Sequence, residues 1–292
     1  MKKAFIQLHI AVLLAGFTGV LGKLISLNEG LLVWYRLMIA AAALWIISFF
    51  QKKFQSVSFK DILRVFAVGA IAATHWVTFY GSIKYANVSI ALVCFSSIGF
   101  FTALFEPAIF KTKINKRELL LGLLAVIGVS FIFHFDPSYK TGIIIGLISA
   151  MLGGLFPILN KKLLTRIDAR TITLYELSGG FLFLSLLLPV YLRLFPADHF
   201  VPTKEDLFWL LILGLFCTVL AFSFSMQALK KISAFTVNLS YNLEPLYGIA
   251  LAFIIYREDK LLNFGFYIGF SLILISVTLQ SWLVYSALRK TK

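Results

Sequence analysis

Apolar residues in this chain fall into ten runs separated by short polar gaps: Ala4–Leu24, Leu31–Phe50, Ile62–Tyr80, Val88–Phe110, Leu119–Phe135, Thr141–Lys161, Thr171–Leu194, Leu207–Leu229, Ala234–Tyr256 and Leu262–Leu288. A helix needs about 20 mostly apolar residues to cross the hydrocarbon core of a bilayer, and each run is near that length. Hydrocarbon offers the backbone no partner, so only helices and closed barrels span it. The runs are too long and too evenly apolar for barrel strands, whose residues alternate between lipid and lumen. The pattern predicts an all-α integral membrane protein with ten transmembrane helices. It also isolates one anomaly: Glu244 and Pro245 lie in the middle of the ninth run. A carboxylate at membrane depth costs several kcal/mol unless it faces a partner or a wet cavity, so it marks a candidate functional site.

Composition agrees with this reading. Of 292 residues, 60% are hydrophobic and 14% charged, with mean hydropathy +0.92, which excludes a soluble globular domain. The net charge of +14 does not make a nucleic-acid binder, because the basic residues sit in the gaps between apolar runs and not on one polar face. With the N-terminus inside, 19 of the 27 Lys and Arg fall in inner segments and 7 in outer ones, leaving Arg36 within a span. That bias predicts cytoplasmic N- and C-termini. The opening run is longer than a signal peptide's and has no A-x-A site after it, so it is read as the first helix. Cys94 and Cys217 lie far apart in apolar runs, and no structural disulfide is expected.

Shifting the third to fifth runs by 146 residues lays Lys84 on Lys230, Gly99 on Pro245 and Lys111 on Arg257, while near the start of each half a shift of 138 lays Gly16 on Gly154 and Lys23 on Lys161. Five helices per half is an odd number, which inverts one half relative to the other. The chain therefore reads as two inverted five-helix repeats, residues 1–137 and 138–292, an architecture that builds a site near the midplane between the halves. Glu106-Pro107 resembles Glu244-Pro245, but the helix ends reject the alignment, and Glu106 lies close enough to a helix end to reach water.

In the ninth run Thr236, Ser240, Glu244 and Gly248 recur every four residues, with Tyr241 and Tyr247 beside them, so a continuous helix gives them one polar face. Asn238 and Asn242 flank that face. Pro245 has no N–H for the carbonyl four residues back, which leaves a free acceptor nearby. In the third run Thr74, Thr78 and Ser82 share a face bordered by His75 and Trp76. The candidate substrate-binding set is Glu244, Tyr241, Asn238, Asn242, Ser240, His75, Thr78 and Trp76, with buried helix contacts as the alternative reading. Arg36 and Glu176 lie near the ends of the second and seventh runs, where gating or structural roles are expected, together with Pro245 and a hinge at Gly154 and Pro157. Gly265 and Gly269 form a GxxxG that would suit a weak homodimer, with a monomer as the alternative.

Enzyme signatures are absent where they are testable. Gly22-Lys23 ends like a P-loop, yet Phe17 and Leu24 stand where a glycine and a Ser or Thr are required. The four histidines and two cysteines are scattered, so neither a metal nor a cofactor is expected. His134 and Asp136 beside Lys140 are the nearest approach to a lipid-modifying site and read as a polar loop.

The segments Phe79–Phe133, from Gly81-Ser82-Ile83-Lys84-Tyr85 through Gly122 to Val129, and Ala228–Val277 resemble the repeated helix pair of the drug/metabolite transporter superfamily, EamA type. Arg36 resembles its second-helix arginine, Pro245 its mid-helix proline and Glu258 the glutamate that ends that helix. In the first half Gly99 and Thr112 replace the proline and the glutamate. The resemblance implies a secondary transporter moving small metabolites such as amino acids by alternating access, often outward across a bacterial inner membrane. Its partners would be a small-molecule substrate, the lipid bilayer and protons as a coupling ion. A nucleobase, sugar-derivative or drug transporter, a membrane-embedded enzyme, a channel and a non-transporting assembly protein are the alternatives.

Overall fold

The computed structural model describes residues 2–51, 55–135, 137–241 and 243–290, and among them it is helical with no strands. In chain order the helices are α1 (Lys2–Leu24), α2 (Glu29–Gln51), α3 (Phe59–Tyr85), α4 (Val88–Phe95), α5 (Ile98–Phe110), α6 (Lys116–Phe135), α7 (Lys140–Leu163), α8 (Ala169–Leu194), α9 (Lys204–Gly214), α10 (Ala221–Leu229), α11 (Ala234–Tyr241), α12 (Glu244–Tyr256) and α13 (Phe264–Lys290). Among the described residues seven stretches are long and apolar enough to cross a membrane: Lys3–Leu24, Glu29–Gln51, Phe59–Tyr85, Val88–Phe110, Lys140–Leu163, Ala169–Leu194 and Lys204–Leu229. Shorter apolar helices, Glu244–Tyr256 and Phe264–Leu279, accompany them.

Three runs that read as continuous helices are interrupted. The fourth divides into α4 and α5 at Ser96-Ser97, and the ninth into α11 and α12 just before Glu244. Pro245 explains the second break, since at the first turn of α12 its missing N–H would have no helical partner anyway. The eighth run passes through a π-helical segment, Leu215–Leu220, between α9 and α10. There the Thr218 hydroxyl donates to the carbonyl of Leu213, five residues back, at 2.7 Å. The bounds of α4 and α5 recur 146 residues later in α11 and α12. Lys111 and Arg257, also 146 apart, end α5 and α12 in the left-handed conformation that closes many helices.

Packing follows from where side chains are small. Helix α3 lies along α7 and α8, and α10 lies along α1 with α9 against α2. Helices α4 and α5 rest on α7, α11 and α12 on α1, and α6 pairs with α13. At the α6–α13 crossing a Cβ on Gly128 would stand 2.6 Å from the carbonyl oxygen of Gly269, and one on Gly269 would stand 2.3 Å from that of Gly128. Gly269 therefore packs closely against α6 within the chain. Cys94 and Cys217 are both free and buried.

Polar residues hold the helix ends. Asp168, just outside α8, accepts from the backbone of Arg170 at 2.9 Å and Thr171 at 3.1 Å and from the Thr171 hydroxyl at 2.6 Å. Burial would raise the pKa of Asp168, but these hydrogen bonds outweigh it and hold the carboxyl below its ordinary value. Its stabilising effect is thus complete above the unfolded pKa of about 3.9 and is lost as pH falls below it. We expect Asp168→Ala to cost about 1 kcal/mol near neutral pH and less in acid, measured by thermal melts at both.

Candidate functional site

The helices enclose a central cavity of about 90 Å³ bordered by α1, α2, α3, α4, α5, α7, the π-helical segment, α10, α11 and the first turn of α12. Its wall includes the aromatic rings of Trp76, Phe79, Phe95, Phe156 and Phe222. Among the described residues that line it, only Arg36 and Glu244 carry formal charge. Both are buried.

Arg36 reaches the cavity because α2 points it inward, toward the π-helical segment. Its Nε donates to the Thr218 hydroxyl at 2.7 Å and its Nη1 to the Tyr80 hydroxyl at 2.9 Å, while the guanidinium sits 4.2 Å from the centre of the Trp76 ring. A planar cation stacked on an indole is held in one orientation without a carboxylate partner. The π-helical turn has a purpose here, because it presents Thr218 to the Nε. Glu244 opens α12 and has neither a hydrogen-bond partner nor a Lys or Arg nitrogen within 4 Å among the described residues. An acidic side chain in the first turn of a helix is favoured by the amide dipoles.

The structure gathers several predicted residues at this cavity and separates others from it. Tyr241 lines it and shares a 2.5 Å hydrogen bond with Ser225. Asn238 lines it and donates to the Thr102 hydroxyl at 2.8 Å and to the carbonyl of Gly154 at 3.5 Å. His75 lines it, its Nδ1 2.9 Å from both the hydroxyl and the carbonyl oxygen of Ser149. Trp76 and Pro157 line it as well. Gly154 stands behind, where its small size admits Thr102.

Ser240 and Thr78 point elsewhere: each donates to carbonyls of its own helix, Ser240 to Thr236 and Thr78 to Thr74 and His75. The expected four-residue polar face in the ninth run does not form, because the break before Glu244 ends its helical register. Gly248 instead packs against Leu92 and Gly16. Asn242, Asp136 and the side chain of His134 lie outside the described residues. Arg36, expected near one end of the second run, lines the cavity. Nothing local in the sequence distinguishes the phenylalanines, Thr218, Ser225 and Asn160 from other buried residues of their types. Glu176 is buried behind the cavity and bonded to Asn160.

Polar networks differ at the two ends of the bundle. At the end away from the N-terminus, Glu258 accepts from Lys23 Nζ at 2.8 Å, from the backbone of Val88 and Ser89 at 3.2 and 2.9 Å, and from the Ser89 hydroxyl at 2.7 Å. Asp206 accepts there from the backbone and hydroxyl of Ser26 at 2.7 and 2.8 Å. At the N-terminal end a wider cavity of about 860 Å³ lies between α1, α2, α8 and α10, lined by Lys3, Arg170, Lys230 and Lys231 among others. One end is thus laced shut by buried carboxylates, and the other holds a wide basic recess.

A family model described as the EamA-like transporter family matches residues 2–134 and again 140–282. The chain belongs to that family. It is similar to proteins recorded as uncharacterized transporters in Haemophilus influenzae, at 23% identity over 78% of this chain and 75% of that one, and in Archaeoglobus fulgidus, at 23% over 78% and 79%. A third, from Clostridium kluyveri, is 25% identical over 62% of this chain and 60% of its own. A solved crystal structure superposes with a TM-score of 0.68 at 15% identity, covering 98% of this chain and 99% of the other, which shows a shared fold. This EamA-like chain is therefore a multi-pass membrane transporter, and a small-molecule substrate and a lipid bilayer are its partners.

Proposed function

We propose that the chain is a secondary transporter that exports a small amphipathic metabolite, such as an amino acid, by alternating access around the central cavity. The observation that carries this reading is the pair Arg36 and Glu244, a fixed cation and a carboxylate without a partner among the described residues, on one cavity lined by aromatic rings. A zwitterion with an apolar body complements those three features: its carboxylate pairs with the guanidinium, its ammonium with Glu244, and its side chain rests on the phenylalanines. No single cation or anion would satisfy both.

The wider frame of the proposal is ten spans in two inverted repeats, residues 1–137 and 138–292, in a bacterial inner membrane with both termini cytoplasmic. The 146-residue recurrence of α4 and α5 in α11 and α12 supports the repeat. So does the packing, because exchanging the halves turns the α3–α7 contact into α10–α1 and leaves α2–α8 and α6–α13 in place. The bias of Lys and Arg supports the orientation. On that orientation the wide basic recess is cytoplasmic and the Glu258 network seals the outer end.

A thermal-stability screen of the purified protein against amino acids, nucleosides and cationic drugs tests the substrate class. An amino acid at about 100 times its Kd is expected to stabilise the fold by about 2.7 kcal/mol. In the same screen Glu244→Gln should melt like the wild type alone but lose most of the ligand-induced shift. A shift from nucleosides or drugs and none from amino acids would replace the substrate class, and an unaltered shift in Glu244→Gln would remove Glu244 from the site.

A further inference from the structure

Glu176 on α8 is completely buried, and among the described residues its only hydrogen bond comes from Asn160 Nδ2 on α7, which donates to Oε1 at 3.1 Å. Two atoms of this pair have no partner among the described residues: Glu176 Oε2 and Asn160 Oδ1. Among the described residues no Lys, Arg or His nitrogen lies within 4 Å of the carboxylate. The titratable groups on the surrounding elements are engaged elsewhere. On α7, Lys161 donates to the carbonyls of Leu229 and Ile232. On α3, His75 is bonded to Ser149, and on α2, Arg36 is bonded to Thr218 and Tyr80. On α8 itself the Tyr175 ring packs on Trp45 and Phe66. Across the cavity, Tyr241 is bonded to Ser225 and Glu244 opens α12.

An ionised carboxylate here would be a buried charge with one neutral donor, and Oε2 and the amide oxygen of Asn160 would both be buried acceptors without a donor. That arrangement costs several kcal/mol. One proton removes both defects. Bound to Oε2, it makes the acid a donor to Asn160 Oδ1, and with the existing bond from Nδ2 to Oε1 it closes a two-bond ring between acid and amide. A hard metal cation would call for about six oxygen ligands, and the pair offers two.

Asn160 also lines the central cavity, so the ring is one side chain away from whatever occupies it. We propose that the Glu176–Asn160 pair is a proton-binding site, and that the proton it takes from water in the cavity and later returns couples the cavity to pH. The O–H bond forms on Oε2 and breaks again to leave the carboxylate, with no other reactant. The coupling role rests on the transporter reading given above; the proton site does not. It also divides the labour between two buried carboxylates, with Glu244 facing the substrate and Glu176 holding the proton.

Infrared spectra of the full chain in lipid nanodiscs, in H2O and D2O across pH, test this without any ligand. The wild type should show a protonated-carboxyl C=O band at neutral pH that shifts in D2O. It should vanish in Glu176→Gln, persist in Glu244→Gln, and move in frequency in Asn160→Ala. Glu176→Gln is an informative variant because glutamine keeps a donor for Asn160 Oδ1 and an acceptor for Nδ2, so the fold should survive; circular dichroism and the melting midpoint check that it does. An acid band that Glu176→Gln leaves untouched, or a wild type with no component assignable to this residue, overturns the proposal. If the band behaves as expected while no solute in the thermal screen binds, the proton site stands and the transport reading fails.

Discussion

Glu258→Ala should destabilise the folded chain by about 3–5 kcal/mol, the cost of removing one partner from a buried charged network. The Glu258 carboxylate is fully buried and satisfies the first two backbone amides of α4, the Ser89 hydroxyl and the Lys23 ammonium. Helix N-termini leave such amides without intrahelical partners, and here the acceptor comes from 170 residues further along the chain. Truncation strands three buried donors that water cannot reach. Unfolding of the purified protein measures the loss. Glu258→Gln keeps one acceptor and should cost about half as much. Lys23→Ala should cost about 1 kcal/mol or less, because the lysine side chain is 35% exposed and water replaces its partner. If Lys23→Ala proves as damaging as Glu258→Ala, the ion pair and not the helix cap is what holds this end together.

The second large effect is steric. A Cβ on Gly69 of α3 would stand 2.1 Å from the carbonyl oxygen of Glu176 and 2.8 Å from the backbone nitrogen of Gly180 on α8. Both obstacles are backbone, so no side chain can rotate away and the two helices must separate. Gly69→Ala is expected to cost about 3 kcal/mol, the upper part of the usual range for overpacking, and Gly69→Leu to prevent folding. The separation would also pull Glu176 from Asn160. Gly81 on the same helix is the control, since a Cβ there would meet its nearest neighbour, Ile145, at 3.5 Å. Gly81→Ala should be neutral or stabilise by up to about 1 kcal/mol through helix propensity. Equal melting temperatures for Gly69→Ala and Gly81→Ala would refute the close crossing.

Much of the site was visible in residue type and position. Glu244 was conspicuous because a carboxylate in a long apolar run has few bland explanations, and Tyr241 and Asn238 joined it through their place on the same run. His75 and Trp76 were found as the polar border of an apolar helix. Ser240 and Thr78 were misleading for a local reason: a hydroxyl on a helix can satisfy itself on the carbonyl four residues back, so its position on a face does not commit it to a cavity. Arg36 was placed by its distance from the end of its run, which says how deep a side chain starts but not where a long one turns. Asn160 and Glu176 lie 16 residues apart on different helices, and no spacing rule joins them.

The sequence by itself determined the membrane class and the helical form, because the bilayer imposes on each segment separately a length and an obligation to satisfy its own backbone. It also marked Glu244 as costly unless it meets a partner or a wet cavity. The tertiary structure decided the rest. It stacked Arg36 on Trp76, set it across one cavity from Glu244, broke the ninth run just before that glutamate, and left Glu176 and Asn160 with one orphaned atom each. Those features depend on which helix faces which, and such long-range contacts are settled by packing at glycines and by buried polar pairs, neither of which is local to any single run.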